Sequence, residues 1–169
     1  MPVTWTTRPE VAEDRSAIRD VILAAFPTPE EADLVDALRA DPAWLDGLSI
    51  VAATPDGTIA GHALITRCHV DDAPALALAP CAVLPDYQRQ GAGAAAIVAV
   101  LDAARGQDES LVLVLGHPEY YPRFGFTPAS GYGIRAPFDV PDEAMMALVL
   151  DDSRGVPQGT IRYAPPFGV

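Results

Sequence analysis

The segment Gln88-Arg89-Gln90-Gly91-Ala92-Gly93 constrains this chain more than any other. It joins a strand-like run, Ala75 to Leu84, to an alanine-rich stretch, Ala92 to Arg105, that reads as a helix with Gly106 as its C′ residue. Glycines have no Cβ, so the backbone there can turn sharply and approach an anion closely. A helix starting on such a turn adds unpaired N–H groups and the positive end of its dipole. The alanines at 94 to 96 keep the helix start slim.

Around this joint the chain alternates strand and helix patterns. Val3 to Arg8 reads as a first strand. Ile18, Val21, Ile22 and Ala25 give an amphipathic helix ending near Phe26. Thr28-Pro29-Glu30-Glu31 predicts a second helix start, with Thr28 as cap, Pro29 in the first position and Glu31 completing a capping box. Leu34, Val35 and Leu38 form its stripe, and Asp41-Pro42 ends it. Strands are predicted at Ser49–Thr54, Ile59–Val70 and Ala75–Leu84, joined by turns at Pro55–Thr58 and Asp71–Pro74 as an antiparallel meander. The apolar run Leu111–Leu115 predicts a buried central strand, Pro118–Phe124 a short helix, and Met145–Leu150 and Thr160–Tyr163 two more strands. That order gives an α/β (α+β) sandwich, a mixed sheet with helices on both faces. Without an internal repeat or a dividing linker, residues 1–169 are expected to form a single domain.

Composition narrows the partners. The formal net charge is −12, and all eleven basic residues are arginines. So acidic a surface repels polyphosphate, which excludes nucleic acid as the expected partner, and attracts cationic amines. No run of eighteen apolar residues predicts a membrane span. Met1 to Glu10 does not read as a secretory signal, so the expected location is cytoplasmic. Cys68 and Cys81 read as buried reduced thiols, and with three scattered histidines they make no metal-ligand spacing. A homodimer stays open.

Alone, Gly91-Ala92-Gly93-Ala94-Ala95-Ala96 also fits the loose dinucleotide fingerprint GxGxxA. That site needs the turn directly after its strand and an acid at the next strand tip. Here Pro85 to Gln90 intervene, and Gly116-His117-Pro118 follow Leu115 with no carboxylate. No Lys-Ser/Thr pair follows the turn, which excludes a Walker-type loop.

The wider context supplies another owner. Leu78-Ala79-Pro80-Cys81-Ala82-Val83-Leu84-Pro85, running into the Gln88–Gly93 turn, resembles the central motif of the GNAT N-acetyltransferase superfamily. There, a strand ending in small-Val-x-Pro feeds a Q/R-x-x-G-x-G/A loop. Tyr120-Tyr121-Pro122-Arg123-Phe124-Gly125-Phe126 resembles the superfamily's Tyr-x-x-x-Gly-Phe landmark, and Thr7-Arg8-Pro9 through Phe26 resembles its opening strand and helix. Gly61-His62, Leu78-Ala79-Pro80 and Leu115 to Tyr121 are similar to a bacterial branch of small, mostly uncharacterised members.

The resemblance implies a mostly antiparallel sheet that splays between its fourth and fifth strands, with acetyl-CoA (coenzyme A after transfer) as co-substrate. Pantetheine would pair with Cys81, Ala82 and Val83 beyond a bulge at Pro80, and an N–H near Ala82 would polarise the thioester. Pyrophosphate would lie on Gln88, Arg89, Gln90, Gly91, Ala92, Gly93 and Ala94. Arg123 either reaches a CoA phosphate or sits on the surface. Tyr121 is the implied acid for the leaving thiolate. The acceptor is a small-molecule or peptide amine that attacks directly; the rival, Cys81 as nucleophile, has no recognisable base. The strand 75–84 lacks the acid that many members carry. His62, His69, His117 and Glu119 are candidates by position only, and no base is assigned. Phe26–Pro42 and Pro128–Glu143 are expected to shape the acceptor pocket, the second with Arg135, Asp139, Asp142 and Glu143. The missing acid also leaves open an idle acyl-CoA-binding module and, more remotely, a dinucleotide-binding protein.

Overall fold

The computed structural model of the protein describes residues 4–169, so Val3, the start of the first predicted strand, lies outside the described residues. The chain runs β1 (Thr6–Pro9), α1 (Arg15–Ala25), α2 (Glu30–Arg39), β2 (Trp44–Ala53), β3 (Ile59–Val70), β4 (Ala73–Val83), α3 (Ala92–Gly106), β5 (Leu111–Leu115), β6 (Thr127–Pro128), β7 (Ile134–Arg135), β8 (Met145–Val149) and β9 (Gly159–Arg162). The sheet order is β1-β2-β3-β4-β5-β8-β6, with β9 pairing the end of β3 and β7 pairing β9. Within that path β4–β5 is the parallel pair, and the remaining pairs are antiparallel. This is the expected mixed, mostly antiparallel sheet.

Residue alternation assigns the two faces. Ile50, Ala63, Ile65, Leu76 and Leu78 point toward α3, where Ala96, Ile97 and Val100 meet them. Val51, Leu64 and Ala82 point the other way, onto Ile18, Val21 and Ile22 of α1 and Val35 and Leu38 of α2. Arg19 ties α1 to α2 through Asp33 at 2.9 Å and Asp36 at 2.7 Å. Farther along this second face, Cys68, Ala77, Leu111 and Leu113 are covered by Ile134 of β7 and Ile161 of β9. Two separate coverings therefore share that face.

The splay has a local cause. Ala63 of β3 pairs with Cys81 of β4, but Ile65 pairs with Leu78, so β4 carries one extra residue between them. The Ala79–Pro80 peptide there is cis, and Pro80 has no N–H to give the ladder. β4 and β5 pair only at Leu76–Val112 and Ala77–Leu113. Beyond the bulge β4 stays on β3 as far as Val83, leaving its other edge unpaired.

Some boundaries differ from the sequence reading. β2 starts at Trp44 rather than Ser49, because it pairs on both sides of a register shift near Gly47, whose φ is +86°. The Thr28 capping box does not form. Thr28 Oγ1 accepts from Glu30 N–H at 3.4 Å, the helix starts after Pro29, and Glu31 Oε2 has no partner. Gly106 is the last helical residue, and Asp108, at φ +61°, makes the left-handed turn.

Candidate functional site

The glycine turn is held open from outside. Trp5 Nε1 donates to the Gln90 carbonyl at 2.7 Å, and Gln90 Nε2 donates to the Asp86 carbonyl at 3.2 Å. Gly91 takes φ +88°, which suits a residue without Cβ, and Arg89 takes +64°. The first α3 bond runs from Ala95 N–H to Gly91 O at 2.9 Å. The N–H groups of Ala92, Gly93 and Ala94 thus have no carbonyl one turn before them.

Those groups open onto a cavity of about 490 Å³. Val83, Tyr87, Tyr120 and Arg123 line it, and Gln88, Arg89, Gly91, Ala92, Gly93 and Ala94 form the turn itself. Among the described residues two arginines and no carboxylate line it, in a chain of net charge −12. A Cβ on Gly93 would lie 3.1 Å from Val83 Cγ2, so glycine lets helix and strand close the cavity's base. Arg123 lies 4.3 Å above the Tyr120 ring and donates from Nε to the Tyr120 carbonyl at 2.9 Å. Helix N-terminus, two arginines and backbone donors together suit a phosphate or pyrophosphate.

From this cavity the unpaired edge of β4 leads along the gap. Leu84 N–H donates to Ala60 O at 2.8 Å, and the ladder continues through Gly61–Val83, His62–Ala82 and Ala63–Cys81. In an antiparallel ladder alternate residues bond the same neighbour, so Ala82 turns its N–H and C=O toward β3. Cys81 and Val83 turn theirs to the gap. The expected donor near Ala82 therefore belongs to one of its two neighbours.

Tyr121 stands at the same gap. Its ring covers Gly116 so closely that a Cβ there would lie 2.3 Å from Cε2, so only glycine fits after β5. Tyr120 and Phe126 meet the ring edge-on at 5.1 and 5.9 Å. Burial, then the neighbouring Cys81 thiol, raises the Tyr121 pKa well above the ordinary phenol value. Burial likewise pushes the Cys81 thiol up to about 12, against a smaller lowering by Tyr121. A thiol held so firmly protonated is a poor nucleophile near neutral pH, which counts against the Cys81 rival.

The candidate bases are scattered. His62 is wholly buried on the α1/α2 face, its Nε2 2.8 Å from Ser49 Oγ. Ser49 donates its one hydroxyl hydrogen to Glu10, whose carboxylate also accepts from Arg39 at 2.9 Å. The network therefore assigns the His62 hydrogen to Nε2 and leaves Nδ1 a bare, unpartnered acceptor. Burial, then Arg39, lowers the His62 pKa to about 3. His69 lines a different cavity beside Asp71, Asp72 and Arg162. His117 and Glu119, 3.8 Å apart, are largely exposed. Of the loop carboxylates, Asp142 accepts from Ser130 Oγ at 3.0 Å.

The structure thus gathers Val83, Gln88, Arg89, Gly91, Ala92, Gly93, Ala94 and Arg123 around one cavity. Cys81 and Tyr121 lie at the gap beside it, and Gln90 supports the turn through its carbonyl. Sequence reasoning missed two contributors. Trp5 acts across 85 residues, which no local pattern reveals, and Tyr120 reads as core although it lines the cavity.

The model of the family described as Acetyltransferase (GNAT) family matches residues 15–126. YjhQ of Escherichia coli K12, an uncharacterised N-acetyltransferase, is 38% identical over 161 residues, covering 90% of this chain and 88% of its own. The crystal structure of the GNAT family N-acetyltransferase YhbS from Escherichia coli, in complex with CoA, superposes with a TM-score of 0.91 at 26% identity, covering 100% of this chain and 94% of that one. A GNAT family acetyltransferase from Brucella melitensis, in complex with acetyl-CoA, superposes with a TM-score of 0.80 at 29% identity, covering 97% and 98%.

Proposed function

The chain belongs to the GNAT acetyltransferase family, and from that premise we propose that residues 1–169 act as one domain moving an acetyl group from acetyl-CoA to an amine. The observation that carries this reading is the carboxylate-free, two-arginine cavity at the α3 N-terminus, continuous with the unpaired edge of β4. Pyrophosphate sits on the Ala92–Ala94 amides with Arg89 and Arg123 alongside, and pantetheine extends along the groups that Cys81 and Val83 turn to the gap. The relatives crystallised with CoA and acetyl-CoA support the choice of thioester. Both cysteines are free thiols, which suits a cytoplasmic setting.

The acceptor nitrogen attacks the thioester carbonyl carbon directly. A C–N bond forms and the C–S bond breaks; the amine sheds one proton and the thiolate gains one. A backbone N–H at the gap stabilises the oxyanion, a contribution of about 3 kcal/mol for one such donor. Tyr121, held protonated by burial, donates a hydrogen bond to the departing sulfur. Because its phenol holds its proton more tightly than a thiol does, it shares that proton with the sulfur, and solvent completes the transfer.

Titration calorimetry with acetyl-CoA and with NAD tests the binding, and free-thiol release over an amine panel tests the chemistry. Tyr121→Phe is expected to lower kcat at least about 100-fold with little change in acetyl-CoA affinity. Full activity in that variant removes Tyr121 from the mechanism, and NAD binding without CoA binding overturns the reading. The acid-free β4 favours a second reading, an idle acyl-CoA-binding module. Tight CoA binding with no thiol release on any amine supports it.

A further inference from the structure

A second cavity, of about 260 Å³, opens at the root of the gap on the face away from α3. Its floor is Ala77 and Ala79 of β4 with Leu113 and Leu115 of β5, the level at which the two strands stop pairing. Ala77 and Leu113 belong to the core under β7 and β9, while Phe167 packs toward α1 and α2. The cavity therefore lies in the seam between the two coverings of that face.

Its wall is aromatic. Phe138 stacks on Tyr163 with centroids 6.1 Å apart and planes 19° apart, and Tyr163 meets Phe167 at 5.3 Å. The Tyr163 hydroxyl donates to Met145 Sδ at 3.8 Å, so its polar tip is already engaged. No Asp, Glu or Arg lines the cavity among the described residues. Leu115 is 45% exposed here, a large apolar side chain that the fold itself leaves uncovered.

We propose that this cavity receives an aromatic or similarly compact apolar group carried by the acceptor, so that the preferred substrate is a primary arylalkylamine rather than a polycation. The inference rests on the acetyl-transfer reading and adds the acceptor class to it. Cys81, Val83 and Tyr121 occupy the α3 side of the gap, where the thioester and its sulfur lie in that reading. The amine then approaches the carbonyl from the opposite face, the one on which this cavity opens. A cavity of about 150 Å³ lined by apolar side chains admits benzene, so the volume here holds a ring with a short methylene link. A polycation placed in it loses its hydration and finds no counter-ion. The negative surface still draws the amine toward the protein, while the lining selects what the amine carries.

The test measures acetyl-CoA binding by calorimetry and steady-state acetylation of 2-phenylethylamine, butylamine and spermidine, for the native protein, Leu115→Asp and Phe138→Ala. Phe138 lies in a loop and Leu115 is half-exposed, so both variants should fold, as a thermal melt will check. The expected result is about tenfold higher kcat/KM for 2-phenylethylamine than for butylamine, and a larger preference over spermidine. Both variants should lose about tenfold on 2-phenylethylamine at unchanged acetyl-CoA affinity, and Leu115→Asp should gain on spermidine. Spermidine as the best native substrate, or an amine order unchanged in both variants, overturns the acceptor class while leaving acetyl transfer intact. So does a native preference for hexanoyl-CoA over acetyl-CoA that Leu115→Asp abolishes, because the cavity then holds the acyl chain. Failure to bind acetyl-CoA at all overturns both.

Discussion

Replacing His62 with Gln should remove a specific part of the protein's acid sensitivity. His62 is wholly buried on β3, beneath α1, with its Nε2 hydrogen given to Ser49 and its Nδ1 bare. Its pKa falls from 6.5 to about 3, first through burial and then through Arg39. The folded state therefore refuses a proton that the unfolded chain accepts below pH 6.5. The unfolded state binds more protons there, so stability declines as pH falls from 6.5 toward 3. At pH 5.0 the unfolded histidine lies about 1.5 pH units below its pKa, and at about 1.36 kcal/mol per unit the loss is about 2 kcal/mol. His62→Gln keeps an amide donor for Ser49 and every other titrating group, so the difference between the two proteins isolates this residue. Urea unfolding at pH 7.5 and 5.0 provides the measurement. The native protein should lose about 2 kcal/mol more than the variant, a difference of roughly 1 M in midpoint movement at the usual slope. Equal losses in the two proteins would refute the reasoning, because His62 would then not be held neutral.

Two further outcomes follow from the cofactor side of the gap. With the half-buried Cys81 thiol pushed up to about 12, iodoacetamide at pH 8 should label it about a thousandfold more slowly than a free thiol of ordinary pKa; rapid labelling contradicts so high a pKa. Gly93→Val places a branched side chain where a Cβ alone already lies 3.1 Å from Val83 Cγ2. Acetyl-CoA affinity should fall at least about tenfold with a lower melting temperature, since overpacking costs about 1–3 kcal/mol; unchanged affinity by calorimetry would show that the helix start does not hold the phosphates.

The turn and the helix behind it were legible because the signals are local. Gly91, Gly93 and the alanines that follow state both backbone freedom and close approach within six residues. The Pro80 bulge was legible for the same reason: a missing N–H is a property of one residue. Two-residue strands such as Thr127–Pro128 and Ile134–Arg135 escape sequence reading because two positions cannot display a period. Of the seam cavity, Pro128–Glu143 supplies Phe138, while Tyr163, Phe167 and Val169 supply much of the rest, from a segment that no motif marks. The capping box at Thr28 fails because an S/T-x-x-E pattern requires the cap to sit immediately before N1, whereas here Pro29 takes the cap position and Glu30 begins the helix. The Ser49–His62–Glu10 network joins three distant segments, so the sequence could name His62 but not its protonation.

The gap between β4 and β5 leaves the sheet joined across its middle by only two residue pairs. A substrate that hydrogen-bonds along the free edge of β4 is therefore structural material as well as a reactant. Anything that binds the folded state alone stabilises it by mass action, by about 2.7 kcal/mol at a hundredfold excess over Kd. In the acetyl-transfer reading, the persistence of this protein against unfolding and proteolysis would follow the thioester supply around it. Scarcity of the donor would then deplete the catalyst as well as the reaction.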